Sequence, residues 1–483
     1  MKKLIFTLLA TVLIISAFSQ TSPIKNYPLK DYIAPEIKYR TLGLGTSLRS
    51  NGASEFSDGS VNAFNFNGYL NYYEYLNTSR HQGITNANFN TTFNTNRYKK
   101  DTIKSSSNRL HLNLNYWAQN RFYYKKKNFI GVHGNLSYSS TPLNKYTGED
   151  NLEISDHHFE FTPYISMGKG RVQPVESARK AMDILLSLEK NNRLAISPDE
   201  TMIDSLASLA NRIRYKRFFD SRFKNIYQLE ELDKAVQDLG LVDSLDIVYF
   251  ANLNDIWNYA PNFNRGSGTR FEGGIIPSIT YYHSKYEDED TPRLSTTDYK
   301  DYGIYGFFSF NRMKPMSFAW QSDLMIDLTL GYNKEKRKYD DDESDPHETS
   351  TDGFNTALTA SWQLGYFPNT RTFAGITPYV GVSNTQDFEN DNNEFGVNTG
   401  LDFKMYYYFS PRLRFTFQAN VSYFDKFAHS VPTPFWNTVS LTSSRSNMFQ
   451  TTDDVTTFPI NAYKSGNKNI TYRAVISLTY AIF

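Results

Sequence analysis

Over most of the chain, apolar and polar side chains alternate with a period of two residues. In the segment 109–116, Leu and Tyr at even positions alternate with Arg, His and Asn at odd positions, and 130–138, 159–167 and 358–366 repeat the pattern. This period predicts strands with one apolar and one polar face. Because the polar partners are mostly Asn, Thr, Ser, Gln and His, we interpret the polar face as the lining of a wet lumen.

About fourteen such segments occur, with an uncertainty of about two, and they predict a mostly β fold: a transmembrane antiparallel β-barrel of about 14 strands (range about 12–16) with a small α-helical insertion. The segments lie near residues 36–48, 61–76, 84–96, 108–119, 127–139, 156–168, 269–283, 299–311, 317–333, 353–366, 371–383, 395–409, 412–425 and 470–483.

The connections between the segments differ in length according to their position in the chain. In the second half, the connections at 311–315, 368–371 and 410–411 are short, whereas those at 284–297, 333–352, 385–394 and 426–469 are long and polar. Bacterial barrels have short periplasmic turns and long outer loops, so the pattern predicts a periplasmic N-terminus. Two of the long connections carry acidic clusters, at 287–290 and 340–345, which we interpret as solvated loops, with a calcium site as the alternative.

The N-terminus has the features of a cleaved signal peptide. Lys2 and Lys3 precede an apolar run, and Ala17-Phe18-Ser19 fits the small-x-small cleavage pattern, so removal is expected after Ser19. The run is shorter than the roughly 20 residues that a spanning helix needs. The resulting division of the chain is a signal peptide at 1–19, an N-terminal periplasmic segment at 20–35, barrel strands 1–6 at 36–168, a helical insertion at 169–262 and barrel strands 7–14 at 263–483.

Composition agrees with a barrel in the cell outer membrane. The mean hydropathy is -0.54, yet 16% of the residues are aromatic, with 35 Tyr and 36 Phe. Alternating strands average out hydropathy, and aromatic residues form girdles at the two membrane interfaces. The net charge of +1 argues against a nucleic-acid partner, and the absence of cysteine excludes disulfides, thiolate metal sites and a lipid-anchored cysteine.

The last strand resembles the C-terminal strand of outer-membrane proteins. Leu478 and Tyr480 belong to its apolar alternation, and the chain ends at Phe483, a terminal aromatic residue that stands one position out of register with the apolar set. The resemblance implies that Leu478, Tyr480 and Phe483 form a signal for the barrel-assembly machinery. The expected partners are therefore outer-membrane lipid and that machinery.

Between about residues 172 and 258 the period changes to that of a helix. Pro174 is expected to open a first helix, and Ser197-Pro198-Asp199-Glu200 reads as a capping box that starts a second one. Six predicted strands precede the insertion, which places it on the periplasmic side. Its basic residues are a candidate docking surface for a periplasmic protein: Arg212, Arg214, Lys216, Arg217, Arg222 and Lys224. Because 171–260 holds 12 basic and 14 acidic side chains, a solvated face with internal ion pairs is the preferred interpretation.

The insertion also carries a family resemblance. The stretches GKGRVQPVESARKAMDILLSLEK (168–190), NRIRYKRFFDSRFKNIYQLEELDK (211–234) and LNDIWNY (253–259) resemble a helical insertion in uncharacterised outer-membrane β-barrel proteins of Bacteroidota-type bacteria. The similar part covers roughly a fifth of the chain. It implies a location and an architecture, and it brings no functional residues.

Motifs for nucleotide binding, HExxH metalloproteases and GxSxG hydrolases are absent from the sequence. Predicted strands 4 to 6 do place polar residues with catalytic potential on the lumen face: His111, His133, His158, Ser137 and Glu160. Any barrel lumen brings some Ser, His and Glu together, so a hydrolase is a remote alternative. The expected function is a pore or transport-related component without catalytic activity, cofactor or metal, and the alternative is a structural or interaction protein that uses its outer loops and the helical dock.

Overall fold

The computed structural model describes residues 22–480, except for 55–58, 101–102, 148–150, 217–219, 260–264, 289–292, 342–343, 390–391, 411–412, 426–455 and 463–469. The predicted signal peptide and Phe483 therefore lie outside the described residues. The strands are β1 Ile37–Ser54, β2 Gly59–Asn77, β3 His81–Lys100, β4 Ile103–Tyr123, β5 Asn128–Thr147, β6 Leu152–Pro174, β7 Gly266–Asp288, β8 Arg293–Pro315, β9 Trp320–Asp341, β10 Ser344–Tyr366, β11 Thr372–Asp387, β12 Asn392–Ser410, β13 Leu413–Asp425, β14 Thr456–Ala462 and β15 Ile470–Tyr480. The helices are α1 Glu176–Lys190, α2 Glu200–Arg214, α3 Ser221–Asp238 and α4 Ile247–Tyr259, with a short 3-10 helix at Pro23–Asn26.

All described strands belong to one antiparallel sheet. Strands β1 to β13 pair in chain order, and β15 then lies between β13 and β14. This confirms the predicted fold class, a mostly β antiparallel transmembrane barrel with an α-helical insertion, and the 15 described strands fall within the predicted range. The additional strand is β14, which the period-two pattern did not reveal.

The pairing register gives each strand one apolar and one polar face. Ile165 on β6 is opposite Ile275 on β7, and the two side chains are 67% and 57% exposed on the outside of the sheet. On the other face, Ser137 of β5 is opposite Glu160 of β6. Side chains opposite one another in a sheet share a face, so the outer surface is an apolar band and the inner surface is polar.

The strands are much longer than a membrane requires. Strands β7, β8 and β10 each contain 23 residues, whereas a transmembrane strand needs about 9–11. The predicted outer loops at 284–297, 333–352 and 385–394 are consequently wrong, because most of these residues extend the hairpins β7–β8, β9–β10 and β11–β12. Apart from a few residues such as Leu294, their outward side chains are polar, so the extensions lack the continuous apolar face by which the sequence pattern recognised strands.

The acidic clusters sit at the tips of two of these hairpins. Glu287 belongs to β7 and bonds Lys285 at 2.6 Å, while Asp340 of β9 pairs with Lys338 at 3.4 Å. Within the described part of the chain, no group of three or more His, Asp and Glu side chains is arranged to hold a metal ion. Residues 289, 290, 342 and 343 of the clusters lie outside it.

The helices form a separate hydrophobic core, which we call the helical unit. Its centre contains Leu185, Leu206 and Tyr249, all fully buried, and the N-terminal residues Ile24 and Leu29 pack against it. Two predicted helix starts differ from the structure. Asp199, not Ser197, caps α2 by accepting from Met202 N at 2.8 Å. Pro174 ends β6 because the chain still pairs there with Gly266, so α1 begins only at Glu176.

Candidate functional site

The polar residues predicted for the lumen lie on the inner face of the sheet but do not converge on one site. Ser137 Oγ donates to Asn115 Oδ1 at 2.9 Å, whereas Glu160 accepts from Asn135 Nδ2 at 3.4 Å. His111 Nδ1 lies 3.3 Å from Thr141 Oγ1. His158 packs edge-on against the Tyr282 ring, with ring centres 6.4 Å apart. Within the described residues, the five side chains thus contact different neighbours and not one another.

A buried ionic network instead surrounds Glu272 of β7. Its carboxylate lies 2.7 Å from Arg121 Nη2 of β4 and 2.8 Å from His133 Nε2 of β5, and it accepts from Ser166 Oγ of β6 at 2.7 Å. Arg270 adds a second guanidinium at 3.6 Å. The Glu272 side chain is only 1% exposed. One carboxylate therefore ties four neighbouring strands together.

Close approach within this network depends on a glycine. A Cβ at Gly131 would lie 2.0 Å from Ser166 Oγ and 2.2 Å from His133 Nε2. The His133 ring also stacks on Tyr164 with ring centres 4.4 Å apart. Only His133 was foreseen from the sequence. Inward-facing charges in otherwise neutral strands, such as Arg270 and Glu272, are the signal that could have located the rest.

The network has the residue types of a hydrolase triad but not its geometry. A triad needs the serine on one ring nitrogen of the histidine and the carboxylate on the other. Here Ser166 and Glu272 both contact Nε2 of His133, while Nδ1 has no hydrogen-bond partner within the described structure. Because the serine hydroxyl also donates to the carboxylate, the three groups do not have the order of serine, histidine and carboxylate that a triad requires.

Near the same end of the sheet, the inner faces of distant strands touch. Gln82 Nε2 of β3 donates to Val172 O of β6 at 2.7 Å, and Arg171 Nη2 of β6 donates to Asn77 Oδ1 of β2 at 2.8 Å. Strands β3 and β6 are three spacings apart, which would be about 14 Å in a flat sheet. The sheet is therefore tightly curled here, and side chains fill this sector of the lumen.

A cavity remains on the inner face of β9 to β12. Its volume is about 180 Å³, and its polar lining includes Asp327, Asp402, Thr359, Ser361, Tyr379 and Asn398. Asp327 is 4% exposed, and its Oδ1 has no hydrogen-bond partner among the described residues. An unpaired buried acceptor is costly unless a donor reaches it, so the cavity suits a ligand or water that donates hydrogen bonds.

The helical unit lies against the ends of the strands. Arg179 of α1 donates to Phe318 O in the β8–β9 turn and to Phe367 O in the β10–β11 turn, and its guanidinium covers the Phe318 ring at 3.5 Å. At the other side of the sheet, the Tyr215 ring packs on Tyr39 at 5.5 Å. These contacts involve turns and strand ends, so the helices span the mouth of the sheet from β1 to β11.

Charges inside the helical unit are held by backbone carbonyls. Lys180 Nζ donates to Ile256 O at 2.8 Å, and burial lowers the pKa of this lysine to about 7. Burial also lowers the pKa of Arg179, against the opposing effect of Asp183 beside it. Burial disfavours the charged form of a side chain, so protonation of Lys180 destabilises the helical core.

The predicted basic docking residues are spread over the surface of the helical unit. Arg212 pairs with Glu231 at 3.6 Å, and Arg214 pairs with Glu176 at 3.7 Å. Lys216 lies over the Tyr227 ring at 3.5 Å. The remaining three are Lys224, which is half-buried, and Arg217 and Arg222, whose side chains lie outside the described residues. Internal contacts thus occupy Arg212, Arg214 and Lys216, although the Arg212 side chain is still 71% exposed.

The predicted assembly signal is described only in part. Leu478 of β15 lies opposite Phe415 of β13 and is 45% exposed, and Tyr480 ends the strand. Of the helices that the structure describes, none has the length and apolar character needed to cross a membrane.

Comparison with known proteins gave distant similarities to solved structures, of which two are described. No family model matches the sequence, and no curated protein does. The structure is similar to the ferric yersiniabactin uptake receptor FyuA from Yersinia pestis, with 7% identity, a TM-score of 0.33, and coverage of 83% of this chain and 64% of the receptor. The chain therefore spans less than two thirds of the length of that receptor. It is also similar to the β domain of the Bordetella autotransporter BrkA, with 7% identity, a TM-score of 0.21, and coverage of 92% and 99%. Both neighbours are outer-membrane β-barrel proteins.

Proposed function

We propose that this chain is an outer-membrane barrel that acts as a closed interaction scaffold, without catalytic activity, and presents its helical unit to the periplasm. The observation that carries the proposal is the contact of inner faces between β3 and β6, where Gln82 reaches the backbone of Val172. An open pore needs a continuous water path, and side chains occupy this part of the lumen.

The helical unit supports the same proposal. Arg179 links it to two turns of the sheet, so the helices lie across the end at which the short turns occur. The expected partners are outer-membrane lipid, the barrel-assembly machinery and a periplasmic protein that contacts the helices around Arg212. Kinship with the Bacteroidota-type barrels and cleavage after Ser19 remain predictions.

Lack of catalysis is part of the proposal. The cluster of Ser166, His133 and Glu272 does not have the order of a triad, because Ser166 and Glu272 both contact the same ring nitrogen of His133. Both side chains are also buried, which leaves no room for a substrate.

Single-channel recording of the purified chain in planar bilayers tests closure. We expect no steady conductance for the wild type and intermittent conductance for the double variant Q82A/R171A, which removes the contacts between the inner faces. As a matched control, R193A breaks the ion pair of Arg193 with Asp246 on the helical unit and should stay closed. Steady conductance of the wild type would overturn the proposal.

A second candidate function, solute transport, is favoured by the cavity beside Asp327. Two carboxylates and several hydroxyls line it, which is chemistry for a small solute that donates hydrogen bonds. Transport through a closed barrel requires the helical unit to move. Uptake into proteoliposomes that is lost in D327N but retained in R193A would favour transport over a scaffold.

The side of the membrane on which the helices lie is tested by labelling, since the chain has no cysteine of its own. K234C is on an exposed part of α3, and K338C is on the hairpin at the opposite end of the sheet. An impermeant maleimide should label K338C in intact cells and K234C only after the outer membrane is opened. The reverse pattern would invert the orientation.

A further inference from the structure

Three lysines lie together on the outward face of the sheet, just beyond its apolar band. Lys300 of β8 is directly opposite Lys336 of β9, and Lys334 is opposite Tyr302 in the adjacent outward row. Paired strands are about 4.8 Å apart, and outward residues of one strand are about 6.6 Å apart. The three ammonium groups therefore share a small area of surface.

Nearby carboxylates do not neutralise this group, which we call the lysine row. Asp352, opposite Lys334, accepts instead from Tyr332 Oη at 2.7 Å. Asp298, two residues before Lys300, instead contacts His283, with 2.9 Å between its Oδ1 and the Nδ1 of the histidine. In the part of the chain that the structure describes, no ion pair involves the lysine row, whereas the neighbouring Lys338 has a partner in Asp340. Like charges opposite one another destabilise a sheet, so an anion from outside the chain would stabilise this row.

The position of the row indicates where that anion comes from. On β9, outward residues run from Trp320 through Ser322 and four aliphatic side chains to Tyr332, and Lys334 follows. This stretch rises about 30 Å along the membrane normal at roughly 3.3 Å per residue and a tilt of about 40°, close to the thickness of a bilayer core. The lysine row begins at the aromatic boundary, because Lys334 is level with Tyr302 and is the next outward residue after Tyr332. That is the level of lipid head groups.

We propose that the lysine row is a binding site for the phosphate of an anionic membrane lipid. The inference rests on the membrane insertion assumed in the proposed function. Lys300 and Lys336 lie directly opposite one another on the two strands of one pair, so a single phosphate between them bonds both ammonium groups. Lys334 contacts a second oxygen or the adjacent head group. Charge-assisted hydrogen bonds of ammonium to phosphate are short and strong. The Tyr281 ring, 5.7 Å from Lys300 Nζ, flanks the site on β7.

The test uses the full chain in nanodiscs that contain phosphatidylcholine with a minor fraction of phosphatidylglycerol. Native mass spectrometry of protein released from the discs gives the phosphatidylglycerol retained per protein. We expect enrichment over the bulk ratio, with a loss of about fivefold for each lysine replaced in K300Q and K336Q. The control K338Q removes a lysine that is already paired and should leave the enrichment unchanged.

Each outcome bears on the site. Equal retention in wild type and K300Q/K336Q, or an equal fall in K338Q, overturns the proposal. Competition by inorganic phosphate at equal efficiency would mean a site for free phosphate rather than for lipid. Failure of the wild type to enter nanodiscs would refute the membrane proposal itself, which a loss of lipid preference alone does not.

Discussion

Replacement of Glu272 by Gln is the sharpest perturbation of the barrel. The amide keeps the shape of the side chain and a hydrogen bond to Ser166, but it removes the charge that faces two guanidinium groups. The Arg121 and Arg270 side chains are 5% and 13% exposed, so water does not replace the lost partner. Breaking a buried pair by removing one charge costs about 3–5 kcal/mol, and we expect a loss of stability of that size for E272Q.

Urea unfolding of the folded barrel in detergent micelles, followed by tryptophan fluorescence and by the heat-modifiable gel band, measures this loss. The matched control is E287Q, because Glu287 also pairs with a base but its side chain is 44% exposed. Solvent screening makes such a pair contribute little. The double variant R270Q/E272Q removes one of the stranded cations and should recover part of the loss. Equal midpoints for E272Q and E287Q would show that the network does not hold the strands.

Three further predictions concern other parts of the chain. Burial lowers the pKa of Lys180 to about 7, so between about pH 7 and 10 the unfolded chain binds more protons than the folded one. The free energy of unfolding of the helical unit should therefore rise with pH by at most ~1.4 kcal/mol per pH unit. Hydrogen exchange of the helical amides should show this slope in the wild type and not in K180M. L185A, in the helical core, should cost about 2–5 kcal/mol and expose the unit to proteolysis in the reconstituted protein, whereas I247A, at a site that is 84% exposed, should not. L478D places a carboxylate on the lipid face of β15, which costs less than the ~2–4 kcal/mol of an Arg or Lys at mid-membrane. We expect a reduced yield of the heat-modifiable barrel. Insertion at the wild-type level would contradict the assignment of Leu478 to the lipid face.

The sequence allowed the strand positions to be predicted wherever one face was apolar. All fourteen predicted segments overlap described strands, because lipid contact and a polar lumen impose a strict period of two on residues such as Leu110 to Tyr116. The same parity correctly assigned Ser137 and Glu160 to the inner face.

The outer hairpins were missed for a physical reason. Beyond Tyr332 the outward residues of β9 are Lys334, Lys336, Lys338 and Asp340, and this face carries no apolar residues. Backbone pairing needs no apolar side chains once a hairpin is already in register, so the strand continues while the signal stops. Strand β14 was missed similarly, since its position at the edge beside β15 follows from pairing and not from local pattern.

The Glu272 network could not be predicted, because its members come from four strands and their meeting depends on register. Arg121 and Glu272 are 151 residues apart in the chain. The alternation of the strand predicted that His133 faces the lumen, but it did not predict which residues of the neighbouring strands lie at the same level. A one-residue shift in any of the intervening pairings would separate the groups.

That dependence suggests why the network exists in a barrel whose inner face is mostly neutral. A slip of two residues keeps the apolar side chains outside and the Asn, Thr and Ser side chains inside, so the alternation alone does not exclude such a slip. A buried ion network contributes little net stability compared with an apolar core, and its attested use is to fix register. With Glu272 bound to Arg121 on β4, His133 on β5 and Ser166 on β6, any slipped pairing of β4 to β7 leaves a buried charge without a partner. The cost of E272Q should therefore appear as heterogeneity of the folded barrel as well as lower stability. Hydrogen exchange at β4 to β7 that is multiphasic in both E272Q and R270Q/E272Q, although the double variant recovers stability, would distinguish a register function from simple loss of an ion pair.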